Sequence, residues 1–435
     1  QLYGQTAYSD YNRSNHRPVL QFAHITDGGY LPLINIPIQH TYGPTVYNKG
    51  ADVARTLRHY LGDSLFYAGC TYYMNHRGDG SANSYDLKDD ITTATGINMN
   101  TFFDDWVFTP GFPQFSIDSV QENSGQYTIY TKQKSRGNNH TYTMPVELTF
   151  SNGISDTTIK VLINQHTNVF TINLSQNYDW IAIDRYDHMA DAVSDYERKI
   201  FSIGGASFPE TNVTLTVQAT NGDTSIVRIE HNFVTPDPFK TAQGIRTSDY
   251  HYWKIDGNFK AGFQSKATFY YNGTINTSTG YLDNTLITGV EDSLVILYRL
   301  NAGDDWHIVN GYTLNKAGSA TDKFGNIVID TLKRGEYTLG YYDYTTGIKS
   351  NENITQLNIS PNPTSDTFKI EITNSGLRNA MLSIWSIEGK NVYNNYVQGD
   401  GIYTWKPGAI PGGEYLIQII DNNVSIATKK VIYLK

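Results

Sequence analysis

The sequence predicts a mixed, mainly β protein: a short α-helical segment, then several antiparallel β-sandwich modules. Three observations carry this. Apolar residues recur every three to four positions between Lys49 and Gly111, the spacing of one helix face. From Phe112 onward the recurrence shortens to two, the spacing of a half-buried strand. The composition, with 33 Tyr and 37 Gly in 435 residues, suits pleated surfaces joined by turns.

Taken in order, residues 1–40 read as irregular, and Tyr42-Gly-Pro-Thr as a turn, because Pro44 fixes its own φ. Val53, Leu57 and Leu61 then form one helical stripe, ended by Gly62. Asp63 is placed to cap a second helix with Phe66, Cys70 and Met74 on one face. A third helix carries Leu87, Ile91 and Ala94, with Ser84 as N-cap and Gly96 as stop. A fourth carries Met99, Phe102, Phe103, Trp106 and Val107, closed by Pro110-Gly111. Residues 112–196 read as one sandwich, with strands in QYTIYTKQK, TYTMPVELTF, TTIKVLIN and NVFTINL. Residues 197–347 read as one large or two small sandwiches. Residues 348–435 form a tail module entered through a polar linker, Lys349 to Asn353.

With 33 basic and 42 acidic residues and a formal net charge of −9, the chain is a poor match for nucleic acid or an anionic membrane surface. No apolar run approaches the ~20 residues of a membrane-spanning helix, so no transmembrane segment is expected. The single cysteine, Cys70, excludes an intrachain disulfide and reads as a buried structural thiol. The chain opens at Gln1 with no leader pattern, which predicts a piece of something longer or a processed product.

The stretch Tyr47-Asn-Lys49-Gly50, followed by Phe102-Phe103-Asp-Asp-Trp106 and Pro110-Gly-Phe-Pro113, resembles the end of the catalytic domain in aminopeptidase N-type zinc metallopeptidases, the gluzincins. The segment YDWIAIDRYDHMADA likewise resembles the close of the small sandwich that follows that domain. Alone, Tyr47 reads as a packing aromatic at a helix start. The resemblance implies a catalytic role instead. Attack of water on an amide carbonyl builds an oxyanion, and a phenol that stays protonated at neutral pH can donate a hydrogen bond to it. Tyr42 matches a second tyrosine of some relatives.

That family binds zinc through H-E-x-x-H on a helix plus a later Glu. None of the eleven histidines here has a second histidine four residues away or a Glu after it. The resemblance therefore implies zinc in the longer parent protein, with none expected at a catalytic site on this chain alone.

The tail resembles the type IX secretion system C-terminal sorting domain, an Ig-like sandwich. The matching pieces are Pro361-Asn-Pro363, Gly389-Lys390, Pro411-Gly-Gly413-Glu-Tyr415 and a basic last strand from Lys429. This implies the type IX secretion machinery as a partner, and a secreted or cell-surface location.

Two functional readings follow. In one, the chain is the C-terminal part of a secreted zinc aminopeptidase acting on peptide substrates, with Tyr47 as oxyanion stabiliser and the metal ligands missing. In the other, it is a non-enzymatic surface-binding or scaffolding protein. There, Trp253, Trp306 and the Tyr250–Trp253 cluster would be either a glycan platform or core packing. His59 and His76 read as favourable helix C-terminal charges. Asp86, Asp89, Asp90, Asp104 and Asp105 read as solvated faces, and Arg77-Gly-Asp79 as a turn.

Overall fold

The computed structural model describes residues 4–275, 279–342, 356–373, 380–387, 389–421 and 424–435. They fall into two compact units, one from Gln1–Lys240 and Arg246–Tyr341, the other from Thr241–Ile245 and Tyr342–Lys435. The position between residues 347 and 348, and the polar linker, lie outside the described residues.

The first unit begins with a helix where the sequence suggested irregular chain. Helix α1 (Gly4–Pro18) runs into a wide π-helical turn (Val19–Ala23) and the short α2 (His24–Thr26). Its polar sequence hid it because ion pairs, rather than an apolar stripe, hold most of it. Arg13 lies 2.5 Å from Asp187, His16 contacts Asp52 at 2.9 Å, and Arg17 meets Glu210 at 3.0 Å. Only the following turn is apolar, and it buries Val19, Leu20 and Ala23 in a cluster with Phe112, Ala192, Phe233 and Leu282.

Helix α3 (Gly50–Leu61) buries Val53, Leu57 and Leu61 as expected, and Gly62 ends it at φ +76°. Helix α4 (Asp63–Arg77) departs from expectation. Asp63 does not cap it; its carboxylate instead accepts two hydrogen bonds from Arg58, at 2.7 and 2.9 Å. The buried contact is made by Gly69, against Ile91, while Met74 is exposed and Cys70 only half-buried. Helix α5 (Ser84–Thr95) is capped by Asn83 rather than Ser84. Asn83 Oδ1 accepts from the Tyr85 and Asp86 amides, and Asp86 accepts in return from the Asn83 amide. Helix α6 (Asn100–Phe103) and its π-helical extension to Phe108 bury all five expected residues.

Strands β1 (Phe112–Asn123), β2 (Gln126–Arg136), β3 (Met144–Ser151), β4 (Asp156–Ile163), β5 (Thr167–Asn173) and β6 (Trp180–Ile183) follow. They make two sheets, ordered β1-β2-β5 and β4-β3-β6 among the described residues. Ile129, Met144, Val146, Leu148 and Phe150 fill the space between them, in one core with Leu57, Phe102, Phe103 and Trp106. The helical segment and the first sandwich thus share a single apolar interior.

The next strand, Val193–Ile200, spans position 196/197 and is the edge of a seven-stranded sheet among the described residues. That sheet faces a five-stranded one across one cluster containing Ile229, Ile255, Phe269, Ile296 and Leu339. The region is therefore one large sandwich. Trp253 and Trp306 are both 0% exposed, with their indole N–H groups on the carbonyls of Thr211 (2.7 Å) and Asp237 (2.8 Å). They are core residues, and neither offers a face to a sugar. Arg136 ties the parts of the unit together. It donates to the Phe233 and Tyr250 carbonyls at 2.8 and 3.0 Å, and its guanidinium lies 5.3–5.8 Å from the rings of Tyr30, Tyr250 and Tyr281.

In the second unit, a sheet of Gln356–Ser360, Phe368–Thr373 and Gly401–Trp405 packs against one of Asn391–Val397, Ala380–Ser386, Gly413–Asp421 and Val424–Tyr433. Tyr415, Ile417 and Ile419 point into the core with Phe368, Ile370 and Trp405, and the alternate residues point out. Lys430 pairs with Glu414 at 3.0 Å on the final edge strand, a charge that discourages edge pairing.

Candidate active-site tyrosine

The turn that carries Tyr47 is built from buried anchors. Asp27, after α2, lies against Gly43 so closely that a Cβ there would push its carboxylate off the Thr45 amide. Asp27 Oδ2 accepts the Thr45 amide at 2.8 Å, which caps the helix start from 18 residues away in sequence. Thr45–Lys49 then form a π-helical turn, in which the Tyr47 amide reaches the Gly43 carbonyl at 3.2 Å. The turn merges directly into α3. Asn48 donates to Asn15 of α1 at 2.6 Å. One turn further on, buried Asp52 accepts from His16 Nδ1, while His16 Nε2 donates to the Asp191 carbonyl at 2.8 Å.

Lys49 is buried as well. It is 4% exposed, with Nζ 3.3 Å from the Leu31 carbonyl and 4.9 Å from the centre of the Phe112 ring. Burial without a carboxylate partner pushes its pKa from 10.5 down to about 7. Between those two values the unfolded chain holds a proton that the folded chain lacks, so stability rises with pH through that window. Lys49→Met is expected to flatten this rise, read as urea midpoints from about pH 7 to about 10.5. An unchanged slope would show that Lys49 is charged when folded.

Against this fixed backbone, the Tyr47 side chain is free. Its ring is 58% exposed and stacks on Tyr42, with ring centres 6.4 Å apart and planes 23° apart. Its hydroxyl makes no hydrogen bond among the described residues. Asp27 and Lys49 were not legible as anchors in the sequence, because both act across long separations. The one local sign was the glycine at position 43.

The stretch 41–50 does not fit a metal. Among the described residues, one group of three His, Cys, Asp or Glu side chains has donor atoms within 4.8 Å of one another: His59, Glu147 and His188. It includes none of that stretch. A zinc ion beside Tyr47 would need ligands other than these.

The remaining polar candidates resolve into structure. Asp90 and Asp105 are buried, not solvated. Asp90 pairs with His76 and Arg77, each at 2.9 Å; Asp105 accepts from His140 at 2.6 Å and from the Thr143 amide at 2.7 Å. His76 is thus held by the Asp90 carboxylate, and His59 stacks on His188. Burial pushes the Cys70 thiol pKa up, away from a reactive thiolate. Arg77 ends α4 and Gly78–Gly80 turn towards α5, as the triplet suggested.

Residues 32–106 match the peptidase family M1 domain, and residues 358–433 the secretion system C-terminal sorting domain. Probable aminopeptidase 1 of Saccharolobus solfataricus is 26% identical over 113 residues, covering 25% of this chain and 14% of that protein. Aminopeptidase N of Lactobacillus helveticus is 31% identical over 88 residues, covering 20% and 10%. Among solved structures, Legionella pneumophila aminopeptidase A in complex with aspartic acid aligns over 36% of this chain and 18% of that one, at 17% identity and a TM-score of 0.31. The chain spans less than a fifth of the length of these relatives. Its N-terminal part is M1 aminopeptidase-like. Its tail is a type IX sorting domain, which directs it to the cell surface or the extracellular space. No helix among the described residues is long and apolar enough to cross a membrane.

Proposed function

We propose that this chain, aminopeptidase-like over residues 32–106 and tagged for secretion by residues 358–433, is the C-terminal part of a secreted aminopeptidase that removes N-terminal residues from peptides. Tyr47 is its oxyanion donor. With this goes a four-part organisation at 1–111, 112–196, 197–347 and 348–435, although the strand Val193–Ile200 runs across the second boundary.

One observation carries the reading: an exposed phenol with an unshared hydroxyl, on a turn that Thr45 and Lys49 anchor in buried structure. A packing tyrosine would be buried, and Tyr47 differs from other exposed tyrosines such as Tyr11 and Tyr67 in combining a place within the matched segment 32–106 with this anchored turn. A donor waiting for substrate keeps the hydroxyl free and the backbone fixed, so that little is reorganised when charge develops. Zinc belongs to this reading through the relatives alone. The residues here do not supply its ligands around Tyr47, so the chain's own contribution is the phenolic hydrogen bond and the wall formed by the sandwich.

The chain alone is therefore expected to hydrolyse no aminoacyl-p-nitroanilide. Turnover that survives purification to homogeneity and stops on addition of a chelator would overturn the missing-ligand part of the reading.

A further inference from the structure

Away from Tyr47, three side chains converge from three separate elements: His59 in the last turn of α3, Glu147 on β3, and His188 in the loop after β6. Their donor atoms all lie within 4.8 Å of one another. His188 Nδ1 is 3.4 Å from Glu147 Oε2, and the two imidazoles stack with centres 4.5 Å apart and planes 21° apart. We propose that His59, Glu147 and His188 form a binding site for a divalent zinc-type ion, which clamps α3 to the first sandwich.

Two imidazoles and one carboxylate are the donor set of a borderline metal such as zinc, rather than of calcium or magnesium, which take oxygen ligands. His59 Nε2 is buried and lacks a hydrogen-bond partner, and His188 Nδ1 meets the Glu147 carboxylate only at 3.4 Å. Buried imidazole nitrogens normally have a partner. Tetrahedral zinc with bonds of ~2.1 Å needs donors roughly 3.4 Å apart with in-plane lone pairs that converge, so the two stacked imidazoles must turn out of parallel to complete the set. A hollow of about 330 Å³, lined by Tyr8, Arg58, His59, Lys160, Tyr186 and His188 among others, gives room for a water as fourth ligand.

The scaffold behind the ligands is already fixed. The Asp184 amide donates to the Glu147 carbonyl at 3.0 Å, and the Asp184 carboxylate accepts the His188 and Met189 amides at 2.9 and 2.8 Å. Two left-handed residues, Asp184 and Asp187, shape the loop between. From the other side, Arg55 of α3 donates to the Asp187 and Met189 carbonyls, and Thr56 Oγ1 accepts the Ala190 amide at 2.8 Å. His59 sits one turn beyond Arg55 on the same helix. Each ligand therefore stands on backbone pinned to that of the other two, the pre-organisation a metal site requires.

Lys160 contacts the other oxygen of Glu147, Oε1, at 3.6 Å from a half-exposed position, and can swing away.

The site is independent of the aminopeptidase reading and survives its failure. The test uses the untagged chain, stripped with a chelator and dialysed, then titrated with Zn(II) alone. One equivalent is expected to bind and to raise the melting temperature by about 5 °C at 100-fold excess over Kd. Co(II) in its place is expected to give intense tetrahedral visible bands. His59→Gln and His188→Gln should each weaken binding ~100-fold or more and abolish the thermal shift, while metal-free melts stay at the parent value. The proposal is overturned if the parent binds no stoichiometric metal, or if the double His variant binds as well as the parent. Should a His variant fail to fold, the cobalt spectrum of the parent decides: without tetrahedral bands, there is no such site.

Discussion

On the proposed reading, Tyr47→Phe introduced into a full-length peptidase carrying this segment is expected to lower kcat by about 100- to 1,000-fold while leaving KM nearly unchanged. The range is that of one lost oxyanion donor, about 2.7–4 kcal/mol of transition-state stabilisation. The KM expectation follows because a ground-state carbonyl gains little from the phenol and a developing oxyanion gains much. Stability should not move. The ring is 58% exposed, its hydroxyl has no partner among the described residues, and phenylalanine keeps the stacking on Tyr42. That pairing of a large kinetic effect with an unchanged melt separates a catalytic donor from a packing residue, for which the two would change together. An unchanged kcat removes Tyr47 from the mechanism. An equal loss in Tyr42→Phe would instead assign the effect to the stacked pair, since Tyr42 is the more exposed of the two.

How much of this was legible in the sequence depends on the range over which each residue acts. Where side chains repeat along one element, the pattern sufficed: Val53, Leu57 and Leu61 on α3, the Met99-to-Val107 run, and the alternation of Tyr415, Ile417 and Ile419 all bury as their spacing implies. Where an element is held by partners distant in sequence, it did not. Helix α1 has no apolar stripe because Asp187, Asp52 and Glu210 hold it, and no window over residues 4–18 contains them. Cap identity failed by one residue, since Asn83 and Ser84 are both good caps and only backbone geometry chooses between them. Acidic runs misled for a related reason. Asp90 and Asp105 look like their solvated neighbours until His76, Arg77 and His140 arrive from other elements. The candidate site divides the same way. Tyr47 was found through a contiguous motif, whereas His59, Glu147 and His188 are 88 and 41 residues apart in sequence and share no pattern.

The same long-range chemistry makes Arg228 a costly side chain to remove. It lies on the strand Ser225–Asn232, 1% exposed, with Nη2 on Asp195 at 2.5 Å, Nε on Glu230 at 3.1 Å and Nη1 on the Arg185 carbonyl at 3.0 Å. Asp195 is buried too, and burial raises its pKa even with Arg228 beside it. Arg228→Ala is expected to destabilise the first unit by about 3–5 kcal/mol, because it leaves a buried carboxylate without its main counter-charge. The sign of the pH dependence follows from Asp195. With the arginine gone, its folded pKa lies further above the unfolded value, so the folded form keeps a proton that the unfolded chain releases. Stability therefore falls as pH rises above the ordinary carboxylate range, and the variant should be nearest to the parent at acid pH. Urea melts at acid and at neutral pH check both claims. The double change Arg228→Met with Asp195→Leu should recover most of the loss, since a buried pair replaced by apolar groups of similar volume is often neutral. If the single variant melts with the parent at neutral pH, the buried network is not what holds α1 and the two sandwiches in one unit. The apolar cluster around Val19, Leu20 and Phe233 would then have to hold them unaided.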